Sequence, residues 1–291
     1  MQETKEISAL FTLLDDPDED VFCTVSNRIV TYGKGIIPNL EDLWETIANE
    51  TVQSRIERLI HNVHYADLTK DFTDWKNSSS HDLLFGSLLV AKYQYPDLQF
   101  APILTEIEKI KRNIWLELNS YLTPLEQANV VNATIYNHFK LKGVAVNYAN
   151  IDEYLINKVV QLKKGNVYAN TILYLVLAEF LDIPLSVIKI PRQFIIAFVK
   201  PSYQTALQNN RQSGADIHFY VEASSGRIYG QEDIVGYLNK IGIADDASLY
   251  QPLTNKEILV QLLTEMSKCF MKPELIYKQE ELLQLADLLG G

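Results

Sequence analysis

From Tyr168 to Leu181 the sequence predicts a strongly apolar helix, and this segment constrains the fold more than any other. A helix so apolar is stable only when other elements cover it, so it belongs at the centre of a domain. The longest apolar stretch within it, Thr171 to Phe180, is interrupted by Glu179 and then by Asp182. It falls well short of the roughly 18 uninterrupted apolar residues of a membrane span. The segments after Pro184 are suited to cover it. Leu185–Ile190, Phe194–Val199 and Ile217–Val221 are short runs rich in β-branched residues, the pattern of buried strands. Ser224-Ser225-Gly226 predicts a turn into a short Ile228–Tyr229 strand, and the polar stretch Gln204–Asp216 a hairpin loop.

Helices are expected on both sides of this core. Ile7, Leu10, Phe11 and Leu14 recur with the spacing of one helix face. Asp15-Asp16-Pro17-Asp18 stops that helix and starts the next, with Asp15 and Asp16 as capping carboxylates. Val21, Phe22, Val25, Ile29 and Val30 continue the stripe until Gly33 and Gly35, and a third helix carries Leu40, Leu43, Trp44 and Ile47. Short helices joined by polar turns resemble a HEAT-type pair. Further amphipathic stretches are expected at 52–64, 66–76, 80–93, 100–120, 124–140 and 153–163, the last ending at Gly165. After the strands come helices at 231–240, 254–270 and 273–288. The order is helices, a central helix feeding a small antiparallel sheet, then helices again, which is α+β and not alternating βαβ. The expected organisation is a helical HEAT-like region at 1–98, a core at 99–242 and a C-terminal helix pair at 243–291.

Charge and composition exclude several functions. The 291 residues are 47% hydrophobic and 22% charged, enough for a core without disulfides or metal. With 26 Lys and Arg against 37 Asp and Glu the net charge is -11, which argues against nucleic acid as a partner. Cys23 and Cys269 are not spaced for a redox or metal motif, and each is expected in the core. His61 and His64 lie three apart on a helix with Asp67 and Asp71 nearby, but no Cys or second pair completes a metal set, so surface or capping roles are expected. Gly33-Lys34-Gly35 lacks the context of a phosphate-binding loop. No secretion signal is visible at the N-terminus, and a cytoplasmic, non-membrane protein without cofactor is expected.

Leu-Leu-Asp-Asp-Pro-Asp, Gly-Ile-Ile-Pro-Asn-Leu-Glu and Arg-Ile-Glu-Arg-Leu-Ile-His lie within Ile7–Trp75. They are followed by Lys163-Lys164-Gly165, Leu173–Ala178, Leu181-Asp182-Ile183-Pro184, Pro191-Arg192-Gln193-Phe194 and Tyr220-Val221-Glu222. In this order and spacing the chain resembles the SirB-type transglutaminase-like family over most of its length.

The resemblance implies a papain-like core in which active relatives carry a Cys at the start of the long helix, a His on the next strand and an Asp on the strand after. A thiol attacks as thiolate, needs a base within hydrogen-bond reach, and the carboxylate orients that base. Here those positions are Val167, Gln193 and Glu222. Gln cannot take a proton at neutral pH, and Glu222 has no His to orient. Asn147, Tyr148 and Asn170 are the candidates to line the remnant pocket. The expected function is therefore non-catalytic: an interaction or regulatory module with an unknown protein partner. The alternative is a hydrolase or transferase working through Gln193 and Glu222. A role in transcription through partner binding is implied only by the naming of the family.

Overall fold

The computed structural model describes residues 2–16, 18–190, 193–200 and 216–291, with the backbone alone at 2–5, 8, 19, 193 and 247. Pro191, Arg192 and the expected loop at 204–215 lie outside the described residues. The described part is mostly helical with small sheets. Its helices are α1 (Gln2–Thr12), α2 (Glu19–Val30), α3 (Ile37–Thr46), α4 (Glu50–Asn77), α5 (Leu83–Gln94), α6 (Phe100–Glu117), α7 (Pro124–Asn132), α8 (Ile156–Leu162), α9 (Val167–Glu179), α10 (Gln231–Lys240), α11 (Asn255–Ser267) and α12 (Ile276–Gly290). The strands are β1 (Lys142–Gly143), β2 (Lys164–Gly165), β3 (Leu185–Ile190), β4 (Gln193–Val199), β5 (Ile217–Glu222) and β6 (Arg227–Tyr229). The chain forms two compact units, Met1–Asp74 with Lys92–Pro96, and Trp75–Ala91 with Asp97–Gly291.

The first unit is helical. Val25 and Ile29 of α2, Leu40 of α3, and Val52, Ile56, Leu59 and Val63 of α4 form one apolar core. Two expected helices at 52–64 and 66–76 are a single helix, α4. The five-residue step from Val63 to Leu68 reads as a break, but no Gly or Pro interrupts the backbone, so the helix runs on. The cap of α2 is Asp18, whose side chain accepts from Asp20 N, and not Asp15 or Asp16. Asp15 ends a 3-10 turn, and Asp16 Oδ1 accepts from Asp18 N. Cys23 is exposed, contrary to the core position expected for it. It lies two residues before Val25, about 200° round the helix from the buried stripe.

The second unit holds the sheet β3-β4-β5-β6, in which each neighbouring pair is antiparallel. Strand β4 is buried on both faces. Ile195, Ala197 and Val199 pack with Ile234 and Leu238 of α10 and with Tyr250. Phe194, Ile196 and Phe198 alternate with them and are no more exposed. Phe194 meets Tyr168 of α9, and every residue of α9 from Val167 to Ala178 is buried, as its composition requires. The 250–253 segment lies beside β3: Ile188 forms a bridge with Pro252, and Leu253 N donates to Val187 O at 2.8 Å. The helix before α9 ends at Lys163, in the left-handed region with φ 54°, and not at Gly165. α11 and α12 bury Ile258, Leu259, Leu262 and Leu263 together with Leu282, Leu285 and Leu289.

Candidate functional site at the start of the central helix

Gly165 and Asn166 set the geometry of the α9 N-terminus. A Cβ on Gly165 would stand 2.4 Å from Asn170 Oδ1 and 2.6 Å from Val159 Cγ2, so only glycine lets α8 and α9 approach this closely. Asn166 is the N-cap: its side chain accepts from Tyr168 N at 3.0 Å and from Ala169 N at 3.2 Å. Val167 is the first residue of the helix and is 7% exposed. Its isopropyl group can neither ionise nor attack. Beside it in sequence are buried polar atoms with no hydrogen-bond partner among the described residues, namely Asn166 Nδ2, Thr171 Oγ1 and both side-chain polar atoms of Asn170.

Gln193 is the first residue of β4 and pairs with Ile190 of β3; its side chain lies outside the described residues. Glu222 ends β5 and pairs with Arg227 of β6. Because β4 and β5 run antiparallel, with Ile196 opposite Val221, the start of β4 and the end of β5 share one end of the sheet. The same end meets α9, since the rings of Tyr168 and Phe194 stand edge-on with centroids 5.1 Å apart. The backbone positions of Val167, Gln193 and Glu222 therefore gather around Phe194.

The turn after Glu222 is tied down by side-chain hydrogen bonds. Tyr136, on a π-helical turn (Ala133–His138) that continues α7, donates to Ala223 O at 2.8 Å. Asn132 Nδ2 donates to Gly226 O at 2.8 Å, and Tyr174 of α9 donates to Asn132 Oδ1 at 3.0 Å. Burial, with the charge of Glu222 adding to it, raises the Tyr136 phenol well above its ordinary range, so it is a fixed donor. Glu222 itself is half-buried and accepts from Ser225 Oγ at 2.7 Å.

Beside Glu222 lies a cavity of about 260 Å³ lined by Ile190, Phe194, Ile195, Glu222, Tyr229, Asp233, Ile234 and Tyr237. Its walls are aliphatic and aromatic, with two carboxylates. Asp233 Oδ2 also accepts from Gly230 N at 2.8 Å, which fixes it at the start of α10. Asn147, Tyr148 and Asn170 do not line this cavity. Asn147 is exposed and accepts from Ala149 N; Tyr148 donates to Glu265 Oε2 at 2.9 Å; Asn170 is fully buried within α9. The lining residues missed in the sequence are Tyr229, at the end of β6, and Asp233 and Tyr237 of α10, of which only the last two share a signal, their four-residue spacing on one helix face.

The transglutaminase-like superfamily model matches residues 101–264, which is more than half of the chain and includes Val167, Gln193, Glu222 and the residues lining the cavity. The chain belongs to the transglutaminase-like superfamily. Neither curated proteins nor solved structures gave a match. Within the transglutaminase-like domain the start of α9, the start of β4 and the end of β5 meet as described, with Val167 at the helix start and Glu222 at the end of β5. Cys269, the one cysteine in this unit, follows α11 and is half-buried. Burial pushes its thiol up to about 11, with Glu265 adding to the rise, so at neutral pH it is not a thiolate.

The histidine pair lies in the first unit. His61 and His64 line a small recess with Lys34, Tyr65, Lys92 and Tyr93, where His61 stands edge-on to Tyr93. Asp67 is bound to Lys34 at 2.5 Å and Asp71 to Lys92 at 2.6 Å. Among the described residues no group of three or more His, Cys, Asp or Glu is placed to hold a metal ion, and no helix is long and apolar enough to cross a membrane.

Proposed function

We propose that this chain uses its transglutaminase-like domain to bind and not to catalyse thiol chemistry, as an interaction or regulatory module of the SirB type. The observation that carries this reading is Val167 at the first position of α9, where the fold would present a nucleophile. The cavity beside Glu222 is the binding site in this proposal: its rings and aliphatic walls hold an apolar group, and Glu222 and Asp233 favour a cationic end. The N-terminal helices, read as a HEAT-like layer, add surface for a protein partner.

A second reading rests on Glu222 and Asp233 lining the same cavity. Two carboxylates in one partly apolar site can divide acid and base roles in a hydrolase or transferase. One experiment separates the readings. Amide hydrolysis and amine incorporation are measured on glutamine-containing peptides with the native chain and with the Cys23→Ser, Cys269→Ser double variant. Background rates in both are expected. Activity lost in the double variant overturns the absence of thiol chemistry, and activity that survives it but disappears in Glu222→Gln establishes the carboxylate reading.

A further inference from the structure

The pair β1–β2 gathers lysines from two parts of the chain beside the start of α9. By spacing alone Lys158, Lys163 and Lys164 would share the side of one helix, but α8 ends at Leu162 and the last two leave it. Lys142 N donates to Lys163 O at 2.9 Å, and in the parallel register Lys142 stands opposite Lys164 and Gly143 opposite Gly165. Lys140 lies just before β1, separated from Lys142 by the buried Leu141. Lys140, Lys142, Lys163 and Lys164 are all exposed, so their charges share one small two-stranded element.

Too few carboxylates balance them. Asp152 and Glu153 are the acidic residues between Lys140 and Gly165 in sequence, and both are engaged. Lys158 Nζ lies 4.0 Å from Asp152 Oδ2, and Lys164 Nζ lies 2.7 Å from Glu153 Oε1. Lys140, Lys142 and Lys163 make no ion pair among the described residues, and every Asp and Glu of this unit is among those residues. The Lys163 ammonium lies 5.1 Å over the Phe139 ring, a contact that leaves its charge open to an anion.

The fold also keeps lysine where lysine fits poorly. Lys140 (φ 65°) and Lys163 (φ 54°) are in the left-handed region, which favours Gly or Asn. Lys142 and Lys164 put like charges opposite each other on neighbouring strands. A bound anion relieves that repulsion, and it gives the side chains a role that would keep lysine at two strained positions.

We infer that this face docks an acidic segment of a partner protein, a short run of Asp and Glu. Ammonium groups are point charges without the fork of a guanidinium, so they answer to charge density more than to one oriented oxyanion. A nucleic acid or an anionic bilayer would reach past the patch onto a chain of net charge -11 and be repelled there. The inference concerns residues outside the cavity beside Glu222 and holds whether or not the domain catalyses.

The test uses the full chain and fluorescent probes: a peptide of alternating Glu and Gly, the same peptide with Gln for Glu, and single-stranded DNA of equal charge. Anisotropy is followed at low and high salt. Binding of the Glu peptide alone, weaker at high salt, is expected. The double variant Lys140→Gly, Lys163→Gly is expected to weaken it by about fivefold or more. Its melting temperature should be unchanged or raised, because glycine suits both backbone conformations, which separates a partner contact from a structural role. Lys240→Ala with Lys272→Ala removes the same charge from exposed sites elsewhere and should leave binding within about twofold. No binding of the Glu peptide at low salt, the same affinity in both double variants, or tighter binding of the DNA overturns the inference.

Discussion

The ring of Phe194 meets the ring of Tyr168 edge-on, centroids 5.1 Å apart, and this contact joins the first turn of the central helix to the start of the second strand of the sheet. Both residues are at least nine-tenths buried. A double-mutant cycle with Tyr168→Leu and Phe194→Leu, followed by urea unfolding, is expected to give a coupling of about 0.5–1.5 kcal/mol. Strict additivity would mean that the two elements are positioned by other contacts.

The two glycines Gly165 and Gly236 should respond in opposite directions to alanine. At Gly165 the added methyl meets Asn170 and Val159 inside van der Waals distance, and a loss of about 1–3 kcal/mol is expected. At Gly236, inside α10, it meets nothing within 4 Å, and the gain in helix propensity is expected to add about 0.5–1 kcal/mol. Urea midpoints of the two variants moving the same way would contradict the packing described here.

The cap at Asn166 is expected to contribute about 1–2 kcal/mol, because Asn166→Ala leaves two backbone N–H groups of α9 without their acceptor. Asn166→Ser retains an acceptor and should lose less. Thermal unfolding of the three proteins measures the order, and equal melting temperatures for Ala and Ser would show that the cap bonds contribute nothing net.

The two cysteines should separate by rate and by pH. Cys23 is exposed and is expected to react first with a thiol reagent at pH 8. Cys269, raised to about 11 by burial, has only about one part in a thousand of thiolate there, so its alkylation should accelerate as pH rises toward 11. Since the folded pKa lies above the unfolded one, the thiol's contribution to stability is present below the ordinary thiol range. It is lost as pH climbs through about 11. Equal rates for the two cysteines at pH 8, followed by mass spectrometry, would rule this out.

Much of the core was legible because period and burial agree there. The apolar run of α9 and the β-branched runs of β3, β4 and β5 announce themselves, and the structure places a helix at the first and strands at the other three. What failed depended on angle and on local backbone geometry. Cys23 sits among apolar neighbours in sequence but on the wrong side of α2. Asp18, not Asp15 or Asp16, has the geometry of a cap, and Lys163, which no propensity favours in a left-handed conformation, ends α8. Val167 and Glu222 are reached through the family resemblance, and the structure puts them at a helix start and a strand end. The cavity beside Glu222 could not be reached in this way, because Tyr229, Asp233 and Tyr237 come from a strand end and a helix whose meeting is set by the packing of Ile234 and Leu238 on the sheet.

The bridge between Ile188 and Pro252 has a consequence for how this protein behaves at high concentration. A four-stranded meander ends in two rows of backbone groups that another chain could extend by strand addition. On the β3 side, Pro252 offers no N–H of its own, and Leu253 already occupies Val187 O. On the other side, β6 is three residues long. Neither margin is a template for a foreign strand while 250–253 stays docked, so self-association through the sheet must begin with that short segment peeling away.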